Sequence, residues 1–281
     1  METITLRCKD WEAKIVPSFA MNVISLSYQG DPVLRTPEDM EDLAKFPFLY
    51  GTPLLFPPNL MQNDSFSFEG KEYKLAYPAN AGRPIHIHGL LFDAPMTVFS
   101  QTETSLMGEF LCSKDRFPFP FLLTVICQLT EEGLTQRYII KNTGKTVMPV
   151  LFGLHTTFVA KETFTVSIGK AWENDPTTRM PAKLVELTGE EKTFVTGAAP
   201  QGKPIHGLFT DAGARTATNG RYKYTLSDNL THWVIWNKNG SDGMISLEPQ
   251  SGPTNGLNME GWHSRLKPGD EEIFETKISL M

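Results

Sequence analysis

Short runs rich in β-branched and aromatic residues recur along the whole chain, and they constrain its fold more than any other feature. TITLR at 3–7, NVISLSY at 22–28, FSFEGKEYKL at 66–75, PFLLTVICQLT at 120–130 and TQRYIIKN at 135–142 are strand signals. Turn formers separate them: Gly30-Asp31, Glu69-Gly70, Asn142 to Gly144, Asp211 to Gly213 and Asn219-Gly220. Helix signals are sparse. The one segment that reads as a helical turn is TPEDMEDLAKF at 36–46, with Thr36 as cap, Pro37 at the first helical position, and Glu38 and Asp39 at the positive end of the dipole. The pattern predicts an all-β, antiparallel sandwich.

At 281 residues the chain can bury a large core, and all-β sandwiches of this order form one domain; no repeat, low-complexity tract or linker marks a boundary, so 1–281 reads as a single domain. A formal charge of −6, with no cluster of Lys and Arg among aromatics, argues against nucleic acid as a partner. The first residues, METITLRCKDWEAKIV, carry charges throughout and hold no unbroken apolar stretch, and no later run is long enough to span a bilayer, so neither an export signal nor membrane attachment is expected. Three cysteines, Cys8, Cys112 and Cys127, are an odd number without C-x-x-C spacing. They suit small buried hydrophobes in a reducing cytoplasm better than a disulfide framework.

Four segments set titratable side chains beside Gly or Pro in apolar strands, where a bare charge is unfavourable unless paired or used. They are PIHIHGLLF at 84–92, LFGLHTTF at 151–158, PIHGLFTD at 204–211 and ISLEPQSGPTNGLN at 245–258. Glu248 ends an apolar run and is followed by Pro249 and a Gly-rich loop. Taken singly, Glu248 reads equally as a solvated carboxylate at a sheet edge and His155 as a core histidine. His86 and His88 share one face of a strand, a spacing that can start a metal site, but neither an H-E-x-x-H pattern nor a Cys partner supports one, and no metal is expected.

In order, these segments resemble the aldose 1-epimerase (galactose mutarotase-like) family over nearly the whole chain. YGTPLLFPPN at 50–59 is similar to the family's G-x-P-x-L-F-P-x-N segment, and FSFEGKEYKL to its following hairpin. His88-Gly89 is similar to its first histidine-glycine pair, and FPFPFLLTV at 117–125 to its Y-P-F-x-F-x-L strand. NTGKTVMPVLFGLHTTF at 142–158 places His155 on its second histidine. LEPQSGPTNGLN at 247–258 resembles its E-P-x-[ST] loop, and LKPGDE at 266–271 its closing strand.

The resemblance implies a large antiparallel β-supersandwich with an open cleft on one sheet, and interconversion of the α and β anomers of an aldose, an aldohexose in the usual case. Glu248 would take the proton of the anomeric hydroxyl as general base and His155 would deliver one to the ring oxygen as general acid, with working pKa values drawn toward neutral. His88 would hold the sugar near the ring oxygen and Asn59 would also contact it. Phe92, Phe158 or Trp236 could present a face to the ring. No metal, nucleotide or other cofactor is needed.

Two positions depart from the family pattern. An arginine is expected after Asn59, where this chain has Leu60; Arg83 would substitute from another direction. An aspartate that contacts sugar hydroxyls is missing from PIHGLFTD, so either His206 takes over that contact or Asp211 enters from the loop. A carbohydrate-binding or sensing sandwich without turnover is the alternative function, and a metal-dependent β-barrel enzyme a third. Exposed edges of so large a sheet could pair two copies into a homodimer.

Overall fold

The computed structural model describes residues 2–58, 60–75 and 87–281. Among them, Phe121–Thr130 shows most directly how sequence becomes sheet. Phe121, Leu123, Val125, Cys127 and Leu129 are buried, while the residues between them face outward, the period of two that a half-buried strand requires. A two-residue turn returns the chain as Gly133–Asn142, so that Leu123 opposes Ile140 and Val125 opposes Tyr138. Gly133 is required there, since a Cβ on it would lie 2.0 Å from the carbonyl oxygen of Ile278.

These two strands centre an eight-stranded antiparallel sheet ordered Phe164–Val166, Thr216–Asn219, Tyr222–Leu226, Glu271–Leu280, Gly133–Asn142, Phe121–Thr130, Ser105–Cys112 and Thr97–Gln101. A second eight-stranded sheet runs Pro181–Glu186, Ile168–Asn174, His206–Asp211, His232–Trp236, Met244–Gln250, Gly153–Leu154 and Leu54–Leu55, with Thr157–Val159 also pairing Met244–Gln250. A four-stranded sheet built from Ile4–Cys8, Trp11–Val16, Asn22–Tyr28 and Asp31–Pro32 adds its apolar side to the same core.

Aromatic side chains join the two large sheets. Phe152 stacks on Phe274 with ring centroids 4.4 Å apart, Phe158 meets Tyr224 at 5.5 Å, and Tyr224 meets Trp233 at 6.1 Å. Such geometries contribute about 0.5–1.5 kcal/mol each beyond the area they bury. Phe158 is therefore a core residue and does not line the cleft described below.

The helical turn lies at Met40–Lys45, shorter than expected, and its cap is Asp39 rather than Thr36: the Asp39 carboxylate accepts from the N–H groups of Glu41 and Asp42. A second helix, Gly189–Thr196, was not anticipated. Its signal was present in Thr188-Gly-Glu-Glu191, where the Thr188 hydroxyl accepts from the Glu191 N–H and the Glu191 carboxylate from the Thr188 N–H, a reciprocal capping box. Cys112 and Cys127 are buried with thiols pushed up to about 12 by desolvation, while Cys8 is half-buried; all three are free. No helix among the described residues is long and apolar enough to cross a membrane.

Candidate active site

The strands His232–Trp236 and Met244–Gln250 pair so that His232 opposes Gln250, Val234 opposes Glu248 and Trp236 opposes Ser246. Alternation then sorts the side chains. Trp233, Ile235, Ile245 and Leu247 enter the core between the sheets, and the intervening residues occupy the opposite face. On that face lies a cleft of about 940 Å³ lined by Glu248, His155, His88, Trp236, His206 and Phe48, among others.

Glu248 is 2% exposed and His155 3%. The His155 Nε2 stands 3.3 Å from Glu248 Oε1. His155 is held from both sides: its N–H donates to the Pro53 carbonyl, and its Nδ1 lies 3.5 Å from the Thr157 hydroxyl, itself 2.9 Å from the Ser246 hydroxyl. The neighbouring Thr156 hydroxyl bonds the Tyr224 hydroxyl at 2.9 Å, fixing the segment to the facing sheet.

Burial sets the protonation. It pushes the Glu248 carboxyl well above the usual carboxylate range and the His155 imidazole down to about 4. For His155 this runs against the expectation of a value drawn toward neutral, because desolvation disfavours the imidazolium. Burial thus favours the neutral form of each group, the protonated carboxyl and the uncharged imidazole. Glu248 Oε2 is buried and has no hydrogen-bond partner among the described residues.

His88 reaches the pair from a loop that doubles back on Phe56. His88 and Gly89 both adopt left-handed backbone conformations, with φ of 68° and 81°. Glycine is needed at the second position, since a Cβ there would lie 2.4 Å from the Phe56 carbonyl oxygen. Leu90 N–H then donates to that same oxygen. The imidazole lands 4.3 Å from the Phe48 ring and 5.1 Å, edge-on, from His155, with Trp236 closing the other side of His155 at 5.8 Å.

His206 is exposed and lines the cleft opposite Trp236. Asp211 does not line it, which corrects the suggestion that it enters the site. It sits at the far end of the same strand, about 17 Å away at the usual strand rise. Its carboxylate accepts from the N–H groups of Gly213 and Arg215, from Trp233 Nε1 and from the Ser167 hydroxyl. Asn59 and Arg83, and with them His86, lie outside the described residues.

Leu60 lines the cleft where the family pattern has its arginine. Cations missed in the sequence reach the cleft from elsewhere, notably Arg35, whose Nη1 contacts Met244 Sδ at 2.9 Å beside the Tyr50 ring, and Arg179. Phe48 and Trp172 were also missed. A lone aromatic in a loop or strand carries no sign of which face it will take. Among the described residues no group of three or more His, Cys, Asp or Glu is placed to hold a metal ion.

Solved structures share this architecture. A galactose mutarotase-like protein from Clostridium acetobutylicum is 25% identical with a TM-score of 0.88, covering 99% of this chain and 95% of that one. A GalM/aldose epimerase homologue from C. elegans is 15% identical with a TM-score of 0.81, covering 100% and 98%. A galactose 1-epimerase from Lactobacillus acidophilus NCFM is 16% identical with a TM-score of 0.77, covering 99% and 94%. The aldose 1-epimerase family model matches residues 22–279. On that match, together with a fold shared from end to end, the chain belongs to the aldose 1-epimerase family.

Proposed function

We propose that the chain is an aldose 1-epimerase that interconverts the α and β anomers of a neutral aldohexose by acid–base ring opening and closure. One observation carries the assignment: a fully buried carboxyl, Glu248, sits on the cleft floor with one oxygen on His155 Nε2 and the other without a partner. An unsatisfied buried carboxyl oxygen costs about 1–3 kcal/mol. A sugar hydroxyl in the cleft would satisfy it.

Mutarotation removes the proton of the anomeric hydroxyl and adds one to the ring oxygen. The C1–O5 bond breaks as C1 becomes an aldehyde carbon, rotation about C1–C2 exchanges its faces, and the reverse proton transfers reclose the ring. The reaction needs one group that gives a proton and one that takes it, and the neutral forms favoured by burial, a protonated Glu248 and an uncharged His155, are such a pair. In the form that burial favours, the proton is on Glu248. Substrate contacts that move it to His155 make Glu248 the base and His155 the acid, and each turnover returns the pair to its starting state. His88 is placed to hydrogen-bond the sugar beside His155, and His206 to meet hydroxyls from the cleft wall. The chemistry calls for no metal or nucleotide.

The test is polarimetry, or NMR of the anomeric protons, on freshly dissolved α-glucose and α-galactose with the native chain and Glu248→Gln. Accelerated equilibration that disappears in the variant is expected. Sugar binding without acceleration for any common aldose would overturn the assignment in favour of a binding or sensing role.

A further inference from the structure

The face that carries Glu248 continues, away from Trp236, into a second group of polar side chains that the acid–base chemistry does not use. Gln250 follows Glu248 on the same side of the strand, about 7 Å along it, and His232 opposes it on the neighbouring strand. Trp172 from Ile168–Asn174 and Trp262 from the loop after the glutamate strand complete the group. The Trp172 and Trp262 rings are 5.2 Å apart, and Trp262 and His232 also 5.2 Å. Gly252 lets the Trp262 backbone close over the group, since a Cβ on residue 252 would lie 2.3 Å from the Trp262 carbonyl oxygen.

Gln250 is 0% exposed and His232 1%. Nevertheless both atoms of the Gln250 amide, His232 Nε2 and Trp172 Nε1 are buried without a hydrogen-bond partner among the described residues. Buried polar atoms are nearly always paired, so four orphans in one group next to a fifth, Glu248 Oε2, call for an explanation. Of the group Trp172 lines the cleft, while His232 and Gln250 lie behind its wall, next along the strands from Val234 and Glu248, which line it.

The chemistry of the group can be read atom by atom. The Thr231 hydroxyl donates to the Ser251 carbonyl at 3.1 Å, so at its 2.9 Å contact with His232 Nδ1 it accepts, and the proton of that bond is on Nδ1. Burial keeps the ring neutral, its pKa pushed down to about 4, which leaves Nε2 an acceptor. Trp172 offers only a donor, and Gln250 offers both. None of the three carries a charge. Donors and acceptors mixed in this way suit hydroxyl groups, each of which gives one hydrogen bond and takes others. A phosphate or carboxylate would call for Arg or Lys instead.

We propose that Trp172, His232 and Gln250 form a recognition subsite for uncharged hydroxyls of the sugar away from its anomeric carbon, and that this subsite selects the substrate. The identity of the ligand rests on the epimerase reading above; the existence of a hydroxyl subsite does not. One end of the sugar lies at Glu248 and His155, where chemistry occurs, and the other reaches past the edge of Trp172.

Gln250→Met, which keeps the length of the side chain, and Trp172→Phe, which keeps an aromatic ring of smaller size, test it, each removing hydrogen-bonding atoms. Binding of glucose, galactose and their singly deoxygenated derivatives to the full chain is followed by saturation-transfer NMR, mutarotation by polarimetry, and folding by thermal unfolding. Both variants are expected to bind the preferred parent sugar about tenfold more weakly, the size of one well-made hydrogen bond. KM should rise with little change in kcat, and the thermal midpoint of Gln250→Met should hold or rise. The variants should also discriminate less against one deoxy derivative than the native chain does.

Affinity equal to that of the native chain in either variant overturns the subsite, as does a lowered midpoint with unchanged affinity, which would mark the group as structural. If the native chain binds sugars without accelerating mutarotation and the variants lose that binding, the subsite stands and the epimerase assignment falls. If mutarotation is fast and KM is the same in all three proteins, the assignment stands and the subsite falls.

Discussion

Gln136 and Gln250 are both enclosed side chains on strands of the two large sheets, Gln136 inside Gly133–Asn142 and Gln250 at the end of Met244–Gln250, yet they are treated oppositely. Gln136 donates its amide hydrogens to the Thr52 hydroxyl at 3.1 Å and the Tyr138 hydroxyl at 2.8 Å. Gln250 has no partner at either amide atom. The same contrast runs through the sheets as wholes. In the one holding Gln136, buried apolar residues alternate with outward-facing ones, and charges pair at the surface as in Arg137–Glu275 and Lys141–Glu271. In the other, every residue of Met244–Gln250 is buried, Ser246, Glu248 and Gln250 included. One sheet satisfies its polar groups within the fold; on the proposal above, the other keeps Glu248 and Gln250 for a ligand.

The largest test of this contrast is Glu248→Gln. Removing an acid–base group should lower the mutarotation rate about a hundred- to ten-thousand-fold, read by polarimetry, with no loss of thermal midpoint because an amide is easier to bury than a carboxyl. Equal loss of stability and activity would mean that Glu248 supports the fold as Gln136 does.

Acid sensitivity should also reside in the site sheet. His155 and His232 have folded pKa values of about 4 against an unfolded value of 6.5. The unfolded chain therefore binds protons first as pH falls. The stability these residues contribute is complete above pH 6.5 and is lost as pH drops toward 4, on the order of 3 kcal/mol for each. Glu248, raised by burial, acts in the opposite sense: its contribution is complete below pH 4.5 and lost as pH rises. Denaturant titrations of native protein and His232→Phe at pH 7, 5.5 and 4.5 should show a shallower acid loss in the variant; parallel curves would refute a neutral, buried His232.

Gln136→Met should destabilise the fold by about 1–3 kcal/mol in denaturant unfolding, since it takes away the amide hydrogens that the enclosed Thr52 and Tyr138 hydroxyls accept. The same change at Gln250 leaves no protein group newly unpaired, so a cost of similar size at both positions would erase the comparison. At the small end, Arg137→Ala removes a half-exposed cross-strand pair with Glu275, with N···O 2.6 Å. It should change stability by less than about 1 kcal/mol and leave sugar turnover untouched.

The sheet that pairs its polar groups internally was the legible one. Its strands follow the alternation and turn residues closely, as PFLLTVICQLT at 120–130 and the strand Phe121–Thr130 differ by one residue. The site was legible in part: Glu248, His155, His88 and His206 were singled out from their apolar surroundings, and the structure brings them to one cleft. Asp211 was misplaced because a strand of six residues has two ends, and five residues in sequence separate His206 at the cleft from a carboxylate that closes a turn. Phe158 misled for a related reason, since either face of a short strand suits an aromatic ring.

What the sequence determined by itself is local: which segments are strands, where they turn, and which charged residues sit in apolar company. Those follow from backbone preference and from a period of two, both of which act over a few residues. Only the tertiary structure decided which side chains share an enclosure. Glu248 lies 93 residues from His155 and 76 from Trp172 in the chain, and they meet because non-adjacent strands pair into one sheet. Burial, which moves the Glu248 and His155 pKa values in opposite directions and leaves Gln250 without a partner, is a property of that assembly and of no segment alone.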